Sequence, residues 1–167
     1  MALQEDIALL RQQEERLVFT KFDEADAWAL GNRMRNLAIA RTLPFVIDIR
    51  VAGRKLFYTA LPGTSPDHED WVQRKIKVVM RLHKSSYRVG RELLLKGKTL
   101  DESEGVLPIN FAPHGGCFPI TIKNVGVVGT ITVSGVPQRE DHNFVVECLA
   151  ASLGMALADL ALPAETN

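Results

Sequence analysis

The chain has 167 residues, and its 20 Lys+Arg cancel its 20 Asp+Glu. A hydrophobic content of 46% excludes a disordered chain, zero net charge argues against a polyelectrolyte partner such as nucleic acid, and 2 cysteines are too few for a disulfide framework. The length suits one domain over residues 1–167, with a core of useful size.

Residues 2–16 read as a helix, because Leu3, Ile7 and Leu10 recur at helical spacing. The apolar stripe is narrow, which suits a helix lying on a surface or against a partner. Glu5-Asp6 follows the first apolar residues, unlike a signal peptide, and no run of about 18 apolar residues occurs. A cytoplasmic protein with reduced thiols and no membrane span is expected. Leu17 to Phe22 reads as a short strand. A second helix is expected from Asp23, whose carboxylate stands with Glu24 and Asp26 where a helix dipole favours negative charge. Phe45–Val51 and Arg54–Leu61 alternate as strands around Ala52-Gly53 and predict a hairpin.

Ser65-Pro66 supplies a capping residue and a first-turn proline for a long helix expected over 66–96, with Ser85-Ser86 and Gly90 as places to bend or split. Residues 97–113 read as irregular. Cys117–Lys123 and Val125–Ser134 are β-branched and form a second hairpin, and Gln138–Leu160 reads as a final amphipathic helix. Five strands joined mostly as hairpins predict an α+β fold: a profilin-like or PAS-like α/β sandwich, with a mainly antiparallel five-stranded sheet flanked by helices.

Three places could carry chemistry. Arg74, Lys77, Arg81, Lys84, Arg88 and Arg91 recur at 3–4 spacing and would make one basic stripe. Carboxylates from the acidic first 26 residues, from a neighbouring subunit, or from an anionic ligand would compensate it; a merely solvated face is the plain alternative. His114-Gly115-Gly116-Cys117 offers paired glycines whose N–H groups form an anion nest, and a histidine that would lower the Cys117 thiol pKa. A simple turn into the strand, with Cys117 filling the core, is the alternative. Ser134 to His142 joins the last strand to the last helix, whose N-terminus attracts anions but already carries Glu140 and Asp141. The four histidines and two cysteines show no CxxC or HExxH spacing, so no metal site is expected.

GGCFPI at 115–120, GVVGTITVSG at 126–135, PQREDH at 137–142 and LPGTSPDHEDWVQRKIKVVMRLHKSS at 61–86 together resemble a bacterial and fungal family grouped with the haem-degrading-domain, or haem-binding-protein-like, superfamily. The resemblance spans about residues 20 to 160. It implies a profilin-like domain that assembles into homo-oligomers, with haem as a possible cofactor. Relatives include extracellular haem-binding sensory proteins and proteins encoded near glycolate-utilisation enzymes, and a fungal member is linked to protein-targeting partners. His114 is the nearest position for an axial haem ligand.

Three functions stay open on these residues. The first is an oligomeric protein binding haem or another small anionic ligand, with Arg74, Lys75, His114, Gly115, Gly116, Ser134, Asp141 and His142 as candidate site residues. The second is a protein-interaction or assembly module with no small ligand. The third is a haem-degrading or thiol-based enzyme.

Overall fold

Two hairpins build the sheet. β1 (Val46–Val51) and β2 (Arg54–Ala60) turn at Ala52-Gly53, where both residues have the positive φ that a tight two-residue turn demands. β3 (Cys117–Ile122) and β4 (Gly126–Ser134) turn through Asn124, again at positive φ. The hairpins join through β1 and β4, giving an antiparallel sheet in the order β2-β1-β4-β3. The computed structural model describes residues 2–165.

Helices cover both faces. On one face Ile47, Ile49, Phe118, Ile120, Ile131 and Val133 bury against α2 (Glu24–Ala40) and α6 (Gln138–Ser152). The opposite face carries Val46, Asp48, Cys117, Thr130 and Thr132, all fully or nearly fully buried. There α3 (Pro66–Leu82) lays Val72, Ile76 and Val79 against Val46 and Cys117. This is the expected α+β architecture. No helix among the described residues is long and apolar enough to cross a membrane.

The strand count differs from the expectation. Leu17–Phe22 forms no strand; Phe19 alone bridges Ile122 on β3, donating to Thr121 O and accepting from Lys123 N. Its ring turns into the core and packs edge-on against Phe22. The sheet therefore has four strands among the described residues.

The long third helix is two helices. His83 adopts a left-handed conformation that ends α3, and the Ser85 hydroxyl accepts from Arg88 N to start α4 (Ser86–Lys96). A short helix, α5 (Leu100–Glu104), and one 3-10 turn at Pro108–Asn110 lie in the segment expected to be irregular. The final helix stops at Ser152, because Gly154 takes a left-handed φ and Met155 N returns to Ala150 O.

Splitting the helix also divides the basic stripe. Carboxylates of the same chain meet half of it: Lys84 and Arg88 pair with Glu92, Arg88 with Glu14, and Arg91 with Asp6. Arg74 and Arg81 instead donate to the carbonyls of Pro108 and Glu104.

The acids of α1 (Ala2–Arg16) explain how that helix is seated on α4. Arg139 Nη1 donates to Asp6 at 2.7 Å, and Gln13 Nε2 donates to Leu160 O at 2.6 Å. His142 Nε2 donates to Gln13 Oε1 at 2.8 Å, the amide's Nε2 being already engaged. Leu10 packs with Tyr87 and Leu162 beside these bonds.

At the start of α2, Asp23 accepts from Asp26 N while Asp26 accepts from Asp23 N, a reciprocal capping box. Asp23→Ala removes one half of it. A stability loss of about 1 kcal/mol is expected in urea unfolding, and an unchanged midpoint would show the box to be dispensable.

Candidate functional site

Ser65 and Pro66 open α3, and His68 Nδ1 accepts from Ser65 N at 3.0 Å, which fixes the first turn. One face of the helix then presents His68, Trp71 and Lys75, at i, i+3 and i+7. Facing them is the turn from β4 into α6, with Ser134, Gly135, Val136 and Asp141. Between the two lies a cavity of about 360 Å3.

His114 closes this cavity on one side. Its ring meets Trp71 edge-to-face at 5.2 Å between centroids. Nδ1 is buried and has no hydrogen-bond partner. Burial lowers the imidazole pKa below its ordinary value, and the charges of Lys75 and Arg74 lower it further. The ring is therefore neutral at pH 7, the state in which imidazole nitrogens bind metals or accept hydrogen bonds.

On the far side of His114 is a larger cavity of about 460 Å3, with His114 and Gln138 in the walls of both. Arg74, Arg91 and Lys98 line it together with Leu93, Leu94 and Phe111. Arg74 is held over the face of Trp71, its guanidinium 4.7 Å from the ring centroid.

The candidate residues divide between these places. Lys75, His114, Ser134 and Asp141 line the smaller cavity, and Arg74 lines the larger one with His114. Lys75 is not a free anion anchor. It is 3% exposed, and its ammonium contacts Asp141 Oδ2 at 3.1 Å and Val133 O at 3.2 Å. Burial raises the Asp141 pKa above its ordinary value; Lys75 and the N–H of Val136 pull it down.

Gly115 and Gly116 do not form an open nest. Gly115 N already donates to Gln138 Oε1 at 3.0 Å. At Gly116, whose φ is +131°, a Cβ would collide with Val133 O and come within 2.8 Å of Lys75 Nζ. The bare backbone there leaves room for the buried Lys75–Asp141 pair.

His142 stands outside both cavities. It is fully buried against Gln13, with Tyr87 and Phe118 around its ring. Cys117 is fully buried and accepts from Thr132 Oγ1 at 3.1 Å. Burial pushes its thiol up to about 12, so no thiolate forms near neutral pH and the thiol-enzyme reading fails.

Sequence reasoning missed His68, Trp71 and Lys98 as cavity residues; Arg91 was read as part of the basic stripe and Gln138 as part of the Ser134–His142 connection, neither as a member of a cavity wall. His68 and Trp71 had a signal in their helical spacing with Lys75, and Arg91 in the spacing of the basic stripe. Arg91 and Lys98 arrive because the helix breaks at His83 and turns α4 back beside the 108–114 segment.

An α+β protein with two adjoining cavities around one neutral histidine is thus defined. Residues 22–150 match the model of the family described as "Haem degrading protein HbpS-like", and the chain belongs to that family. A UPF0303 protein of Acidobacterium capsulatum is 52% identical over 163 residues, 98% of this chain and 99% of that protein. Among solved structures, Ybr137w protein superposes with a TM-score of 0.83 at 30% identity, over 92% of this chain and 94% of that one. The PduOC:heme complex superposes with a TM-score of 0.66 over 81% of this chain and 97% of that one; at 15% identity the likeness is one of fold.

Proposed function

We propose that this protein binds a small anionic ligand, haem foremost, in the cleft around His114. The observation that carries the reading is the half-buried His114 ring, held neutral by burial and neighbouring positive charge and set in the wall of both cavities. The family description and the heme held by the PduOC neighbour support haem as the first ligand to test.

The residues present fit that group. His114 would hold the iron, Trp71 would flank a planar macrocycle, and Arg74 would meet an anionic substituent. Bound haem would supply a redox-active iron centre. The chain's own part is to keep His114 neutral, through burial and the neighbouring positive charges, and to orient its ring against Trp71. A profilin-like single domain, homo-oligomeric assembly and a cytoplasmic location belong to the same proposal. The assembly-module alternative drew on segregated charges and on the narrow apolar stripe of residues 2–16; half of the basic stripe has carboxylate partners within the chain.

Haemin titrated into the purified protein should give a saturable, stoichiometric Soret shift, and His114→Ala should lose it. A weak shift that the variant leaves unchanged would mean opportunistic haem binding and would overturn the assignment.

A further inference from the structure

Beyond Arg74, which the haem reading uses, the larger cavity has features that haem ligation does not require. Three cations, Arg74, Arg91 and Lys98, stand on its walls against one acid, Asp101. Arg74 Nε and Arg91 Nε are buried with no hydrogen-bond partner. Each guanidinium is nevertheless tethered. Arg74 Nη2 donates to Pro108 O at 3.0 Å, and Arg91 Nη2 donates to Asp6 Oδ2 at 3.3 Å. Lys98 makes no ion pair among the described residues.

The remaining wall is apolar. Leu93 and Leu100 are buried, Phe111 is half-buried, and Leu94 is 61% exposed. The cavity therefore sets an apolar wall beside two guanidinium groups that their tethers hold in place. Arginine forks recognise planar oxyanions, and an apolar wall selects what is attached to them.

We infer that the larger cavity is a second binding site, for amphipathic carboxylates: the carboxylate against Arg74, Arg91 and Lys98, the aliphatic or aromatic body along Leu93, Leu94 and Phe111. The site does not depend on iron or on His114 as a ligand, although it shares a wall with the haem cleft.

The test is calorimetric titration of the full chain with three probes: decanoate, decan-1-ol and acetate. Decanoate should saturate one site. Decan-1-ol, with the same tail and no charge, should bind at least about tenfold more weakly, and acetate should give no measurable binding. Leu94→Glu places a carboxylate on the exposed wall. It should weaken decanoate about tenfold by repulsion and lost apolar contact while leaving the melting temperature unchanged, because Leu94 is largely solvated. His114→Ala should retain decanoate binding even where it loses haemin, so failure of either site leaves the other standing. Equal affinity for decanoate and decan-1-ol, decanoate binding no tighter than acetate, or full decanoate affinity in Leu94→Glu would overturn the inference.

Discussion

Lys75→Met should cost about 3–5 kcal/mol of stability at pH 7, measured as the shift in urea unfolding free energy. Methionine keeps the length and packing of the side chain and removes its charge. Asp141 is then left nearly fully buried, with backbone N–H groups as its main support. Taking away one member of a buried pair leaves an uncompensated charge in a weakly polarisable interior, and that penalty exceeds the lost attraction. Two further results should follow. Asp141→Asn in the same chain should recover most of the loss, since no charge remains to be stranded. The single variant should also lose less at pH 5 than at pH 7. A carboxyl whose folded pKa is raised favours the fold in its protonated form, so stability returns as pH falls through that raised value. A cost below about 1 kcal/mol at pH 7 would show that solvent reaches the pair.

The second large effect is on the pH dependence of stability. Burial pushes His142 down to about 3, with the Arg139 charge adding to the shift and Asp6 opposing it. The folded protein therefore holds the ring neutral, whereas the unfolded chain takes up a proton below its ordinary value of 6.5. Stability from this group is present above pH 6.5 and is lost as pH falls toward 3. Between pH 7 and pH 5 the loss should be about 2 kcal/mol. His142→Gln removes the titration. Comparing urea midpoints of the two proteins at both pH values isolates this group, because Asp141 and the surface carboxylates titrate in each. Parallel pH profiles would show that the buried imidazole is not the source.

Periodicity revealed most of the fold before any coordinates. Ala52-Gly53 and Lys123-Asn124 marked both hairpins, and Asp23 and Ser65 marked two helix starts. Local pattern failed where a tertiary contact decided the outcome. Leu17–Phe22 has strand composition, but its phenylalanines are drawn into the core and only one residue pairs. Ser85-Ser86 marked the place of the split, but the turn itself sits at His83, where the 3–4 spacing of the basic residues continues unbroken. It takes a left-handed residue, not a change of pattern, to turn the helix. The site was legible only in part. The Gly115-Gly116 pair was singled out as an anion nest, but its bare backbone makes room for the Lys75–Asp141 pair. His142 looked like a ligand residue from its place near a helix N-terminus, yet the helix turns it inward toward Gln13. A histidine's spacing shows where it sits on an element, not what covers it.

The seating of α1 bears on the order in which the protein is made. Asp6 and Gln13 bond to Arg139, His142 and Leu160, partners 133, 129 and 147 residues further along the chain. The first helix leaves the ribosome long before any of these partners does. The sheet and α3 can close on themselves meanwhile, whereas α1 has only α4 to lean on until α6 and the segment beyond it emerge. A helix translated well before its partners is thus locked only when they arrive.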